Sequence, residues 1–183
     1  MEIGILILDI QKGFIGENAR MPVAKHQVEP MLEKVNRIVE KADSHGLPVV
    51  YIGNEYEPKQ FIVNFFTKNS AVKGSEGAKL DERLLRVNNN YFSKQKGNAL
   101  SNSELVSYLD ASKVKHLVIV GLFAEACVAA TALDSIRRNF TVSVVRDAVA
   151  SSNDSKREKA LTYLESKGVN ITDTAQLLEL IQS

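Results

Sequence analysis

Cys127 is the residue of this 183-residue chain that is best suited to nucleophilic chemistry, and it is the only cysteine. It lies in VGLFAEACVAATALDSI (120–136), between an apolar run and an amphipathic helical pattern. A thiol at a helix N-terminus gains from unpaired N–H groups and the helix dipole, which lower its pKa. The same N–H groups could hold an oxyanion. Position alone fits a small core residue equally well, because free cysteines are often buried.

Asp9 is the second candidate, because it directly follows the apolar run IGILIL at residues 3–8. A carboxylate at the end of a buried strand is costly unless it has a partner. By itself, Asp9 could simply cap a turn toward Gln11 and Gly13. With a cationic partner, it could serve as a general base.

The cation that completes such a site is predicted to be Lys94, which follows Tyr91 and Phe92. The chain has three histidines, and none is placed to pair with the thiol: His26, His45 and His116. A Cys-Lys-Asp set is therefore favoured over a Cys-His pair. Lys94 alone would be a weak candidate, since most lysines are solvated.

The elements that must position these residues alternate between strands and helices. Apolar runs rich in β-branched residues predict strands at 3–8, 47–52, 116–120, 140–145 and 169–172, and one more at 91–92. Helical spacing of apolar residues predicts helices over 31–42, 128–136 and 175–181. Two Ser-x-x-Glu capping patterns, at 101–104 and 155–158, predict the starts of two more helices. Gly46, Gly168 and Asn139 are placed to end helices.

This alternation predicts an α/β fold with three layers, in which helices cover both faces of a largely parallel central sheet. Ligands of such sheets bind beyond the carboxyl ends of the strands, where Asp9 and Cys127 both fall. Residues 54–82 interrupt the alternation and form a long excursion. Long excursions often line sites, although the sequence does not reveal this one's path.

Composition narrows the classes of function. Hydrophobic residues make up 44% of the chain, charged residues 25%, and the net charge is +1, so neither nucleic acid nor an anionic membrane is an expected partner. One cysteine excludes an intramolecular disulfide and a multi-thiolate metal site. The apolar run before Asp9 is too short for a signal sequence or a membrane span, so a cytoplasmic protein is expected.

Several stretches, taken together and in order, carry a family resemblance. They are ILILDIQKGF (5–14), VKGSEGAKL (72–80), KQKGNALSNSEL (94–105), VGLFAEACVAATALDSI (120–136) and VVRDAVAS (144–151). The chain resembles the isochorismatase-like cysteine hydrolases, a superfamily that includes nicotinamidases and other small-amide hydrolases. The resemblance spans nearly the whole chain and implies one hydrolase domain over residues 1–183.

The resemblance also implies roles for the candidate residues. Cys127 would be the nucleophile, Asp9 the base and Lys94 the third member of a catalytic triad. A cis peptide bond is expected at Leu122–Phe123, where it would aim backbone N–H groups at the oxyanion.

The expected oxyanion donors are the amides of Cys127 and of Phe123 or Ala124. Gln11 and Phe14, which follow the catalytic Asp in the family pattern, and Tyr56 are expected to line a compact substrate pocket together with Leu122 and Phe123.

The chain departs from nicotinamidases after its second strand. Those enzymes carry an Asp-x-His pair there and bind a metal, whereas this chain has Asn54 and Tyr56. We therefore expect neither a metal nor another cofactor.

The resulting hypothesis is a cysteine hydrolase that cleaves a small amide, ureido or carbamoyl substrate through a thioester. Two alternatives stay open: a non-catalytic family member that serves as a binding subunit, and an isochorismatase that cleaves a vinyl ether. The family also implies a homo-oligomer, a dimer or tetramer. The apolar run 61–66 is either a helix packed on the site or a subunit contact.

Overall fold

A six-stranded parallel sheet forms the centre of the computed structural model, which describes residues 2–182. The strands are β1 (Ile3–Leu8), β2 (Val49–Asn54), β3 (Tyr91–Lys94), β4 (His116–Gly121), β5 (Thr141–Val149) and β6 (Asn170–Thr172). They lie in the order β3-β2-β1-β4-β5-β6, and every neighbouring pair is parallel. The predicted parallel α/β architecture is thereby confirmed.

Helices cover both faces of this sheet. They are α1 (Lys12–Ile15), α2 (Lys25–Ser44), α3 (Phe61–Phe66), α4 (Ser103–Ala111), α5 (Ala129–Arg137), α6 (Asp154–Ser166) and α7 (Thr174–Gln182). Alternate residues of β1 enter two separate cores. Ile5 and Ile7 pack with α2 and α7, whereas Leu6 and Leu8 pack with α4, α5 and α6. Because successive strand side chains point to opposite faces, a strand buried on both faces is apolar at every position.

The strand order changes direction at β1, which lies between β2 and β4. The chain leaves β1 and β4 toward opposite sides of the sheet, and this opens a crevice at their carboxyl ends. Asp9 follows β1, and Cys127 lies in the turn after β4. The fold therefore brings the two predicted site residues to the same crevice.

The observed helix ends agree in part with those predicted from the sequence. Gly46, Gly168 and Asn139 all have positive φ angles of 65°, 87° and 66°, as expected for residues that follow helices. The helix starts differ, because α4 is capped by Asn102 rather than Ser101 and α6 by Asn153 rather than Ser155. In both cases an asparagine side-chain oxygen accepts from a backbone N–H group of the first turn.

The excursion after β2 folds back against the end of β1. Tyr56 N donates to Ala71 O at 2.9 Å, and Asp81 N donates to Ile10 O at 3.0 Å. The excursion therefore does run beside the site, as expected for a long loop. Among residues 2–182, no helix is long and apolar enough to cross a membrane.

Candidate active site

Four neighbouring strands contribute one side chain each to the crevice. Asp9 follows β1, Asn54 ends β2, Lys94 ends β3 and Cys127 follows β4. The pairing of β2 with β3 sets Asn54 directly beside Lys94. Since all four strands are parallel, these carboxyl ends meet at one edge of the sheet.

The structure brings the predicted Cys-Lys-Asp set together around the Lys94 ammonium. Nζ of Lys94 donates to Asp9 Oδ2 at 2.9 Å and to Cys127 Sγ at 3.3 Å. The Lys94 and Asp9 side chains are 0% and 1% exposed. Charges this deeply buried are strongly destabilising unless they are paired and hydrogen-bonded. The arrangement therefore has the composition of a working site rather than of a surface ion pair.

Burial raises the pKa of the Cys127 thiol from an ordinary 9.0 to about 12. The negative charge of Asp9 contributes to this rise, and the positive charge of Lys94 opposes it without compensating. The expectation of a lowered thiol pKa is therefore wrong. Its physical reason is that burial of the sulfur outweighs the charge of Lys94. At neutral pH, the sulfur carries its proton before any substrate arrives.

The pKa of Lys94 moves the other way from what burial alone would cause. Burial lowers this pKa, but the negative charge of Asp9, together with the hydrogen bonds to Asp9 and Cys127, outweighs the burial and leaves the pKa above its ordinary 10.5. Lys94 is thus a permanent cation at neutral pH. It offsets the charge of Asp9, and it would offset that of a thiolate formed during a reaction.

Asp9 has an open acceptor position. Its Oδ1 atom is buried and accepts no hydrogen bond from residues 2–182. The Asp9 backbone also has a φ of 56°, a left-handed conformation that aspartate tolerates better than most residues. An unsatisfied carboxylate oxygen in a buried site is costly, so Oδ1 is the Asp9 atom that is free to accept a hydrogen bond from a thiol, a water or a substrate.

The turn that carries Cys127 begins with a sharp bend at Gly121, where φ is 108°. A Cβ at this position would collide with Leu8 O, so glycine is required. The chain then forms one wide turn over Ala124–Val128, in which Val128 N donates to Phe123 O at 3.2 Å, before α5 begins. Cys127 therefore lies inside a π-type turn rather than in the first turn of an α-helix.

All peptide bonds of residues 2–182 are trans, which corrects the expected cis bond at Leu122–Phe123. A non-proline cis bond costs about 3 kcal/mol, and the positive φ of Gly121 already turns the chain away from β4.

Backbone hydrogen bonds in this turn distinguish between Phe123 and Ala124, the two alternative oxyanion donors. Leu122 N donates to Leu8 O at 2.9 Å, and Ala124 N donates to Ala150 O at 3.0 Å. The Phe123 amide lies between them and donates to no acceptor among residues 2–182. Ala124 is thus removed as a candidate donor, while Phe123 has its N–H available.

Three aromatic residues predicted to line the pocket are buried near the ends of β1, β2 and β4: Phe14, Tyr56 and Phe123. Phe14 and Phe123 are both buried and meet edge to face, with ring centroids 5.5 Å apart and planes at 84°. Burial raises the pKa of Tyr56 to about 12, and the charges of Lys94, Cys127 and Asp9 also act on its hydroxyl. Tyr56 is therefore close to the candidate site, and Leu122 is fully buried.

The candidate site is nearly closed. Cys127 is 8% exposed. Two large cavities of about 650 and 1000 Å³ lie among residues of α1 and the 69–86 segment, and neither is lined by Asp9, Lys94 or Cys127. Glu125 and Ala126, which precede Cys127, are exposed, so the turn that carries the sulfur borders solvent.

Comparison with known proteins identifies the family. The model of the isochorismatase domain matches residues 4–176, which is nearly all of the chain. The chain belongs to the isochorismatase family.

Curated relatives of this family match over most of their length. The chain is 27% identical over 180 residues to the uncharacterized isochorismatase family protein YaaI of Bacillus subtilis, with 96% of each protein covered. It is 28% identical to a protein of Arabidopsis thaliana named "Probable inactive nicotinamidase", covering 81% of this chain and 80% of that one. It is 25% identical to the maleamate amidohydrolase of Pseudomonas putida, covering 89% of this chain and 79% of that one.

Solved structures of isochorismatase-like proteins share the fold. An isochorismatase-like hydrolase from Alkaliphilus metalliredigens superposes with a TM-score of 0.89 at 21% identity, covering 98% of this chain and 99% of that one. The N-carbamoylsarcosine amidase from Thermoplasma acidophilum superposes with a TM-score of 0.82 at 23% identity, covering 95% of this chain and 97% of that one. At these identities, the likeness establishes the fold.

The residues at the end of β2 are not suited to bind the metal that a resemblance to nicotinamidases implies. Asn54 Oδ1 accepts a hydrogen bond from Lys94 at 2.7 Å, so it is already engaged, and Tyr56 supplies a buried phenol. Within residues 2–182, no three His, Cys, Asp or Glu side chains are grouped so that they could hold an ion.

The sequence predicts Gln11 in the pocket and no role for Asn54. Gln11 is fully buried, and its Nε2 donates to Asn54 O at 2.9 Å and to Ala78 O, while its Oε1 accepts from Asn54 N at 2.9 Å. These bonds hold the backbone at the end of β2. The available signal for Asn54 was its place at the end of a buried strand, the same signal that selected Asp9.

Proposed function

We propose that this isochorismatase-family protein is a cysteine amidase that hydrolyses a C–N bond of a small amide, ureido or carbamoyl compound. One observation carries the proposal. The Lys94 ammonium contacts both Asp9 Oδ2, at 2.9 Å, and Cys127 Sγ, at 3.3 Å, in a buried crevice. This arrangement supplies a nucleophile, a base and a fixed positive charge.

The first half of the reaction forms a thioester. Because the thiol is protonated at rest, Asp9 takes its proton as the sulfur attacks the substrate carbonyl carbon, and the C=O electron pair moves to oxygen. The oxyanion then collapses, the C–N bond breaks, and Asp9 returns the proton to the leaving nitrogen. Lys94 stays protonated throughout and offsets the negative charge of the sulfur.

Backbone amides are proposed to hold the oxyanion. The Phe123 N–H is unpaired among residues 2–182, and we assign it this role together with the amide of Cys127. Each such donor contributes about 3 kcal/mol in comparable sites, because it is oriented before charge develops.

Hydrolysis of the thioester completes the cycle. Asp9 accepts a proton from water as the water oxygen attacks the thioester carbonyl, and the departing sulfur is then reprotonated. The product is an acid or, from a ureido or carbamoyl substrate, a carbamate that loses carbon dioxide. No external reductant, oxidant or metal enters this balance.

The relatives support an amide substrate class. One is named a maleamate amidohydrolase and another an N-carbamoylsarcosine amidase, so closely related folds carry both amide and carbamoyl chemistry. Cleavage of a vinyl ether needs an acid and water but no thiol, so the pairing of Cys127 with Lys94 favours the amidase. The cytoplasmic location expected from the sequence stays a prediction.

A substrate panel tests the proposed function. We expect ammonia release from at least one of maleamate, N-carbamoylsarcosine, a simple ureido acid and nicotinamide, and no release by the Cys127→Ser variant. Intact mass after rapid quenching should show an acyl adduct on the native protein alone. Activity retained by Cys127→Ser would remove the thiol from the mechanism. Turnover of none of these classes by a folded protein would favour the non-catalytic binding subunit.

We also propose that the protein is a homo-oligomer whose copies meet through α3. Four apolar side chains of this helix are between 73% and 79% exposed: Phe61, Ile62, Phe65 and Phe66. Together they present ~500 Å² of apolar surface, since one aromatic side chain carries about 150–250 Å². A patch of this size is often functional, and pairing two copies through it would bury ~1000 Å², the lower limit for a specific interface.

Phe65→Glu should therefore convert the oligomer to a monomer, because each copy would bring a charge into an apolar contact. Light scattering coupled to size-exclusion chromatography measures the change. The matched control is Tyr163→Glu on α6, where the side chain is 49% exposed, and it should leave the mass unchanged. A native protein that is already monomeric at high concentration would remove this assembly.

A further inference from the structure

The Asn54 side chain contacts the Lys94 ammonium as closely as the Asp9 side chain does. The Lys94 ammonium has three protons and three acceptors: Asp9 Oδ2 at 2.9 Å, Asn54 Oδ1 at 2.7 Å and Cys127 Sγ at 3.3 Å. An ammonium donates only, and it has no donor left once these three bonds are made. The Asn54 contact is the shortest of the three.

The orientation of the Asn54 amide follows from this contact. Because the atom next to Lys94 Nζ must accept, it is the amide oxygen, and the other end is the NH₂ group. That group faces Cys127 Sγ at 3.9 Å. A neutral thiol gains little from a donor at this distance, but a thiolate is a strong acceptor.

The backbone of Asn54 is held in place independently of its side chain. Gln11 bonds both the N–H and the C=O of Asn54 at 2.9 Å, and Asn54 is 3% exposed. With the main chain fixed and the oxygen bound to Lys94, the amide has little freedom. The NH₂ group is therefore directed at the sulfur before any reaction begins.

We propose that Asn54 is a positioning residue that fixes the Lys94 ammonium between Asp9 and Cys127 and offers its NH₂ group to the sulfur as the thiolate forms. This inference rests on the proposed amidase function for its catalytic meaning, but the predicted effect on the thiol does not require a substrate. A neutral amide stabilises the forming thiolate without adding a charge, whereas a carboxylate would add a second buried anion beside Asp9.

The test compares Asn54→Asp with the native protein. We expect the thiolate of Cys127 to form about tenfold less readily at a given alkaline pH, because a donor becomes an anion beside the sulfur. The ultraviolet absorbance of the thiolate, with the Cys127→Ser spectrum subtracted, measures this directly. The pH dependence of iodoacetamide alkylation, followed by intact mass, measures it independently.

Asn89→Asp is the matched control, since it adds the same charge on an exposed residue just before β3, at the amino end of the strand that Lys94 ends. It should leave the thiol titration unchanged. If Asn54→Asp does not fold, Asn54→Ser removes the NH₂ donor without adding charge, and it should shift the titration in the same direction by less. Folded Asn54 variants that titrate like the native protein would overturn the inference.

The two proposals fail in different ways. A shifted thiol titration in a protein without amidase activity would support the role of Asn54 at the thiol and count against the proposed function. An unshifted thiol titration in an active amidase would support the proposed function and count against the role of Asn54. With an active amidase, Asn54→Asp should lower kcat far more than it changes KM, because the NH₂ group acts on charge that develops after binding.

Discussion

Replacing Asp9 with asparagine should make Cys127 more reactive toward iodoacetamide while it lowers amide turnover by about 10³-fold. The negative charge of Asp9 is one cause of the raised thiol pKa, so its removal lowers that pKa from about 12 and increases the thiolate fraction at any given pH. Turnover nevertheless falls, because asparagine can neither accept the thiol proton nor return it to the leaving nitrogen. Few other substitutions would separate the two readouts in this way.

The measurement pairs alkylation rates at several pH values with ammonia release from the best substrate of the panel. Asparagine tolerates the left-handed backbone at this position, so the turn should persist, while loss of the carboxylate that pairs with Lys94 should lower the stability of the protein. Asp110→Asn, an exposed site on α4, removes the same charge far from the crevice and should change neither readout. Alkylation that slows in Asp9→Asn would mean that Asp9 assists the sulfur as a base more than its charge suppresses the thiolate, and it would contradict this prediction.

Replacing Lys94 with methionine should destabilise the protein by about 3–5 kcal/mol and abolish turnover. Methionine keeps much of the side-chain volume but removes the hydrogen bond from Lys94 to Asp9 Oδ2. Because Asp9 Oδ1 already has no partner, the substitution leaves Asp9 as an unpaired buried anion. The folded-state pKa of Lys94 lies above its ordinary 10.5, so the stabilisation is fully present below that pH and is lost only as the pH rises through the higher value. The loss should therefore be constant near neutral pH.

Urea unfolding of the two proteins measures the loss. Lys96→Met is the matched control, because Lys96 is exposed two residues away, and its effect should be within about 0.5 kcal/mol. The double variant Asp9→Asn, Lys94→Met should recover part of the stability, since neither buried charge is then left unpaired. A Lys94→Met protein as stable as Lys96→Met would contradict a buried ion pair.

The sequence by itself determined the sheet and the edge at which the site lies. Runs such as residues 3–8 are apolar at every position, and this pattern is a local consequence of burial on both faces of a sheet. Asp9 and Lys94 could be selected because a charged residue that ends a buried strand needs a partner. The family motifs then supplied the connection between Asp9, Lys94 and Cys127.

Only the tertiary structure decided how these residues act on one another. The sign of the thiol pKa shift depends on the balance between burial and two opposite charges, and this balance is a property of distances. The loss of the Ala124 amide as an oxyanion donor depends on Ala150, which arrives from the far end of β5. The role of Asn54 emerged because β2 and β3 pair in a register that sets it beside Lys94. Motifs record which residue types are present, whereas hydrogen-bond partners and burial come from segments that are distant in the chain.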